Sequence, residues 1–213
     1  MANTIEVRNL TKYFGQKIVF NDINFYISEN KIVALTGKNG SGKTTLLKLI
    51  SGLLLPDKGN IFVLDNDIKK YREETKQILG ISINSEKGFY PNLSLLENLK
   101  IFCNFYKVKL SEISSYITLL GLENFLDTKF SHCSSGIKHR FSLLFSVINN
   151  PKVVLIDELT KSIDYESKEK IYNFILHLKS KKVTTVFVTH TPEEIKLLSD
   201  LHLHIENQNI IKK

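Results

Sequence analysis

Short apolar runs of strand type alternate along the chain with stretches whose apolar residues fall at helical spacing. Residues 33–36 form a short apolar run ending at a glycine, and residues 44–51 follow with leucines at helical spacing, predicting a strand and then a helix. Residues 61–64 read as a strand after the turn Pro56-Asp57-Lys58-Gly59. Residues 153–156, entered through Asn149-Asn150-Pro151, and residues 184–189 are continuous apolar runs, each preceded by a helical pattern. Strand, helix, strand alternation of this kind predicts a parallel sheet covered on both faces. The opening of the chain differs: residues 5–7, 18–20 and 23–27 predict antiparallel strands. The middle, about 84–131, reads as mostly helical, with Ser94-Leu95-Leu96-Glu97 as a capping box before a helix ending near Tyr106. No repeat, low-complexity tract or Pro/Gly linker interrupts this order, so residues 1–213 are expected to form one unit, an α/β core from about 1–83 and 150–213 with a helical insertion over about 84–149.

Composition adds little beyond class. With 213 residues, 42% apolar and 24% charged, the chain is of ordinary globular type and can bury a core without staples. No window approaches the roughly 18 to 20 uninterrupted apolar residues of a membrane span. The nearest, residues 141–148, is broken by Ser142 and Ser146. The first residues lack the basic and apolar regions of a secretory signal, and Cys103 and Cys133 make no disulfide framework, so a cytoplasmic location is expected. The balance of 29 basic against 22 acidic residues gives +7, but the lysines are scattered, and nucleic acid is not the expected partner.

Chemistry enters with Gly37-Lys38-Asn39-Gly40-Ser41-Gly42-Lys43-Thr44, a full phosphate-loop pattern placed after a strand and at the opening of a helix. Glycines let backbone N–H groups turn toward phosphate oxygens, and the helix N-terminus adds partial positive charge. Lys43 is placed to reach the terminal phosphates and the Thr44 hydroxyl to ligate magnesium. Phosphoryl transfer is mostly positioning and charge stabilisation, so carboxylates are needed as well. The apolar strand 153–156 ends in Asp157 and Glu158. Set at the carboxyl end of a buried parallel strand, next to the strand of the phosphate loop, Asp157 can hold magnesium through water while Glu158 orients or deprotonates the attacking water.

With these residues in hand, the chain resembles an ABC transporter nucleotide-binding domain over essentially its whole length. The diagnostic segment is Cys133-Ser134-Ser135-Gly136-Ile137-Lys138-His139-Arg140, which resembles the family signature and lies just upstream of the acidic strand. The resemblance implies a P-loop NTPase fold with a mixed or parallel sheet core, an antiparallel β subdomain and a helical insertion, using ATP and Mg2+. It implies that Gly37, Asn39, Gly40, Ser41, Gly42, Lys43, Thr44 and Thr45 hold nucleotide, and that Ser134, Ser135 and Gly136 of one subunit close on ATP held by another. The chain would then work as a homodimer or heterodimer of ATPase subunits. Phe14 resembles the aromatic that stacks on adenine, with Tyr13 as the neighbouring alternative. Ser162-Ile163-Asp164 resembles the loop that touches the partner subunit, and His190 the switch histidine at the γ-phosphate.

Three positions depart from the family pattern: Asn84 stands for the usual magnesium-sensing glutamine, Ser135 for a signature glycine, and Leu159 for a proline, which is expected to loosen the turn after Glu158. No reacting group is removed, so an active ATPase is expected. The implied partner is an integral membrane permease docked beside residues 84–92, where Gly88-Phe89-Tyr90-Pro91 is expected to offer exposed aromatics. Residues 86–99 resemble stand-alone subunits of exporters, and the chain ends soon after its last strand, so export is the expected direction. The alternatives are a non-transport ATPase of the same fold acting on nucleic acid, ribosomes or iron–sulfur assembly, and a nucleotide-binding regulator without catalysis.

Overall fold

Ten strands and six α-helices are found among the described residues of the computed structural model, 3–71, 75, 77–83, 88–160 and 163–213. Strands β1 (Asn3–Phe14), β2 (Lys17–Ser28), β4 (Lys58–Val63) and β5 (Asn66–Asp67) make an antiparallel sheet in the order β2-β1-β4-β5. The two strands expected at 18–20 and 23–27 are one long strand, because register irregularities in the pairing of β1 with β2 let it bend without ending. The second sheet runs in the order β10-β9-β3-β8-β7-β6, formed from β3 (Ile32–Gly37), β6 (Leu79–Ser82), β7 (Val153–Ile156), β8 (Thr184–Val188), β9 (Leu201–Glu206) and β10 (Asn209–Lys212). All neighbours in it are parallel except β10 with β9.

The apolar alternation explains why this sheet is covered on both faces. Ile32 and Ala34 of β3, Val154 and Ile156 of β7 and Phe187 of β8 join one core, while Val33, Leu35, Val153, Leu155, Val186 and Val188 join the other. Successive strand residues point to opposite faces, so a continuous apolar run feeds two cores at once. The first core is closed by helices α2 (Leu95–Tyr106), α3 (Ser114–Leu119), α4 (Ser135–Phe145) and α5 (Tyr165–Ser180). The second is closed by α1 (Lys43–Ile50) and the antiparallel sheet, through residues such as Leu47, Phe20 and Ile61. A last helix, α6 (Pro192–Leu198), leads into β9.

The capping box at α2 forms as the sequence implies: Ser94 N donates to Glu97 Oε2 at 2.7 Å and Glu97 N to Ser94 Oγ at 3.1 Å. The aromatics before it differ from expectation. Tyr90 is 51% exposed, but Phe89 turns inward and packs on Phe102, Phe130, Phe141 and Phe145 with ring centroids 4.9 to 6.0 Å apart. A ring that can enter such a cluster gains both area burial and edge-to-face contact, and the surface keeps the tyrosine with its hydroxyl.

The helical part is set against the sheet where α4 meets β6. The Ser82 and Ser142 hydroxyls bond at 2.8 Å in a buried contact, and a methyl group on Gly80 would stand 1.9 Å from the Ser146 carbonyl oxygen. Only glycine allows that approach. Gly80→Ala is therefore expected to lower the unfolding free energy in urea by about 3 kcal/mol, whereas Ser94→Ala, which removes only a cap, costs about 1 kcal/mol.

Candidate functional site

The phosphate-loop residues leave β3 at its carboxyl end and enter α1 through Gly42, whose φ of 108° lies in the left-handed region. A side chain there would also collide, since its Cβ would lie 2.6 Å from Val19 Cγ1. Lys43 is buried, and its Nζ donates to the carbonyls of Gly37 at 2.9 Å and Lys38 at 3.0 Å. Burial holds its ammonium below the usual lysine range, against the opposing pull of Asp157 and Glu158. Ser41 Oγ is buried without a hydrogen-bond partner. An orphaned hydroxyl and a desolvated ammonium in one loop suit an anion bearing several acceptor oxygens.

The acids arrive on β7. The sheet order is β3-β8-β7, so the strand bearing Asp157 and Glu158 is not next to the phosphate-loop strand as the sequence suggested; β8 lies between them. The reason is in the pairing: β3 takes β8 and β9 as its two neighbours, and β7 pairs with β8 on the far side. Asp157 nonetheless reaches the loop, because its Oδ2 accepts the Thr44 hydroxyl at 2.7 Å. Burial pushes the Asp157 carboxyl above its ordinary range, Thr44 opposes this, and the Glu158 charge adds to it. A hydroxyl bonded to a carboxylate that is short of positive compensation is a donor set that suits a hard divalent cation such as Mg2+. Glu158 has φ 56°, a conformation costing a non-glycine residue about 1–3 kcal/mol that persists only where neighbours over-determine it. Those neighbours are visible: Leu159 N donates to Val188 O at 3.0 Å and Leu159 O accepts from His139 Nε2 at 2.8 Å. The turn expected to be loosened by Leu159 is instead tied, with Leu159 wholly buried.

A cleft of about 330 Å³ joins these groups. Its wall includes Phe14, Asn39, Gly40, Gly42, Lys43, Thr44, Thr45, Asp157, Glu158 and His190. Between the two aromatic candidates, Phe14 is on this wall and 51% exposed, whereas Tyr13 is not part of it. Gly37 and Ser41 shape the loop behind the wall. Asn84 and Ser162 lie outside the described residues.

Ser134, Ser135, Gly136 and Asp164 are not on that wall; they form a second group. Ser134 caps α4, accepting the Ile137 N–H at 3.3 Å, and Asp164 caps α5, accepting the Ser167 N–H at 2.9 Å. The two caps adjoin, since a methyl on Gly136 would lie 3.3 Å from Asp164 Oδ2. The serines are exposed. A helix N-terminus open to solvent beside such a cap suits an anion supplied from outside the chain's own cleft.

Sequence reading missed Lys17 and Val19, which also line the cleft, and left His139, His202 and His204 without roles. Lys17 and Val19 belong to β2, and nothing local marks a strand residue as facing a loop some 20 positions on. His202 Nε2 and His204 Nδ1 both meet the Thr36 hydroxyl at 2.7 Å, just before the phosphate loop. Because a carbonyl can only accept, His139 Nε2 must donate to Leu159 O. Burial holds the His139 imidazole below the ordinary 6.5. As pH falls through that value the unfolded chain takes up a proton that the folded chain excludes, so stability is fully present above it and declines below it. His202 is shifted the same way, by burial, Lys213 and His204. His139→Gln keeps a donor for Leu159 O and removes one titration, so the decline in unfolding free energy measured between pH 6.5 and 5 is expected to flatten, by at most about 1.4 kcal/mol per pH unit.

Comparison with known proteins agrees with this geometry. Residues 20–161 match the family described as ABC transporter. The chain is 32% identical over 204 residues to the spermidine/putrescine import ATP-binding protein PotA of Spiroplasma citri, covering 93% of this chain but only 58% of that protein's length. It is 31% identical over 194 residues to the ABC transporter ATP-binding protein NatA of Bacillus subtilis, covering 89% of this chain and 79% of the relative. A solved dimeric ATP-binding cassette in a post-hydrolysis state, bound to ADP and Pi, superposes with a TM-score of 0.85 at 24% identity, over 98% of this chain and 97% of that one. No helix among the described residues is long and apolar enough to cross a membrane. Sequence match, cassette fold and a cleft built from the phosphate loop and the end of β7 agree: the chain belongs to the ABC transporter family, as an ATP-binding domain of its ATPase subunits.

Proposed function

We propose that this chain binds and hydrolyses ATP to power transport through a separate membrane permease, acting as one of two subunits that close on nucleotide. The observation that carries the reading is the single cleft in which the buried ammonium of Lys43, the Thr44–Asp157 pair, Glu158 and His190 converge. In it the phosphates of ATP would take the Lys43 donors now spent on the Gly37 and Lys38 carbonyls, together with the N–H groups of residues 39–45. Phe14 would stack on adenine. Thr44 and Asp157 would hold Mg2+, with Asn84 as the third proposed contact, and the ion would supply neutralisation of developing phosphate charge. Glu158 would orient a water and accept its proton as the water oxygen bonds to the γ-phosphorus and the β,γ-bridging P–O bond breaks, while His190 would stabilise the transferring phosphoryl group.

Ser134, Ser135, Gly136 and Asp164 have no part in the cleft of their own chain, which supports their proposed use against ATP held by a second subunit. The proposed division is a nucleotide-binding core over about 1–83 and 150–213 and a helical part over about 84–149, the latter meeting a permease near the exposed Tyr90 on the cytoplasmic face of a membrane. Export is the proposed direction, on the resemblance of residues 86–99 to stand-alone exporter subunits, although one relative is named for import. Action on nucleic acid, ribosomes or iron–sulfur assembly is not favoured, since the relatives are named as transport subunits.

Three variants test the reading. Lys43→Ala is expected to weaken ATP binding, read by nucleotide fluorescence, by at least about 100-fold. Glu158→Gln is expected to keep ATP binding, lower kcat by about 100-fold or more and accumulate an ATP-dependent dimer on size exclusion. Ser134→Arg is expected to remove that dimer while leaving monomeric ATP binding intact. Absence of ATP turnover in the unmodified protein with its permease, together with unchanged behaviour of Glu158→Gln, defeats the proposal.

A further inference from the structure

A buried carboxylate behind the cleft ties together the two segments that carry Glu158 and His190. Glu194, in the first turn of α6, is 1% exposed. Its Oε1 accepts the hydroxyl of Thr160, two residues after Glu158, and that of Tyr172 on α5 at 3.3 Å. Its Oε2 accepts the hydroxyl of Thr189, the residue before His190. The Thr189 oxygen in turn accepts the Thr191 N–H at 2.9 Å, so the chain is held on both sides of the histidine. A hollow of about 140 Å³ has Glu158, His190 and Glu194 together in its wall. Burial, and then the Glu194 charge, push the Tyr172 phenol up to about 12, so it stays a donor to the carboxylate through neutral pH.

Placing a carboxylate at that depth is costly unless its lone pairs are engaged, and here three hydroxyls from three separate segments engage them. An apolar filler of the same volume would leave those three hydroxyls without an acceptor. What a carboxylate adds is a fixed distance between two segments that no backbone ladder joins beyond Leu159. Glu158 needs such support, because its left-handed backbone must be held from outside.

We propose that Glu194 is a positioning residue for ATP hydrolysis, its two oxygens clamping Thr160 to Thr189 and so holding Glu158 and His190 at the separation the reaction needs. The inference rests on the roles proposed above for Glu158 and His190. Small misplacements at a reacting centre cost rate with little effect on binding of substrate, which separates this role from a merely structural one.

The test compares ATP turnover of the unmodified protein with Glu194→Gln, Thr160→Val and Thr189→Val, and with the hydroxyl-restoring Thr160→Ser and Thr189→Ser. The valine variants and Glu194→Gln are expected to lose at least about tenfold in kcat with KM for ATP within about twofold, and the serine variants to recover to within about threefold of the unmodified rate. Valine variants within about twofold of the unmodified kcat, or serine variants as slow as the valine ones, overturn the proposal. Should Glu194→Gln fail to fold, the isosteric valine variants carry the test. Amide exchange gives a readout independent of activity: the Leu159 N–H in both valine variants, and the Thr191 N–H in Thr160→Val, are expected to exchange at least about tenfold faster while those of β3 do not change. Unmodified protein without ATP turnover would sink the reading of function, whereas unchanged protection at Leu159 and Thr191 would sink the clamp.

Discussion

Everything functional in this molecule hangs on a parallel ladder of three strands, β3, β8 and β7, that is buried on both faces and stops at one edge. Inside the ladder the strands pair along their length, and their apolar side chains feed one of two cores. At the carboxyl edge the pairing ends and the backbone must turn, so polar groups that the interior cannot hold are delivered together. The phosphate loop leaves β3 there, Asp157 and Glu158 leave β7, and Thr189 and His190 leave β8. Convergence of the cleft is thus a consequence of how the strands end, and the insertion of β8 between β3 and β7 brings His190 into line with the acids rather than separating them from the loop.

The polar residues at that edge are held by unlike means. Lys43 is fastened by carbonyls of its own loop, and Asp157 by the Thr44 hydroxyl across the sheet. The backbone at Glu158 is fixed by what its successors do: Leu159 is pinned by Val188 and His139, and Thr160 by Glu194. A strained residue flanked by several fixed neighbours keeps its backbone, and so the origin of its side chain, in one place. The helical part is anchored separately, through the close approach of Ser146 to Gly80 and the buried Ser82–Ser142 bond, which sets the α4 cap beside the α5 cap but away from the cleft. Cleft and caps are therefore separate features on different parts of one chain.

Much of this was legible in the residues. The glycine-rich loop, the acidic strand end and the capping box of α2 are local patterns, each fixed by a few adjacent side chains and backbone preferences, and each appears where its spacing places it. Phe89 was misread as exposed because a short loop aromatic carries no periodicity to say which way it faces; four other rings decide that. Lys17, His139 and Glu194 were not seen as parts of the site, since each depends on a partner in another element: the loop for Lys17, Leu159 for His139, Thr160 and Thr189 for Glu194.

The sequence by itself determined which groups are the candidates for chemistry and where most strands and helices form, because those depend on residue type and on periods of two and about 3.6 along the chain. Tertiary structure alone decided the order of strands in the sheet, the presence of Phe14 rather than Tyr13 on the cleft wall, and the web of hydrogen bonds behind Glu158 and His190. The physical reason is range: periodicity and turn chemistry act over a few residues, whereas these choices are made by contacts between residues tens to more than a hundred positions apart, as between Thr44 and Asp157.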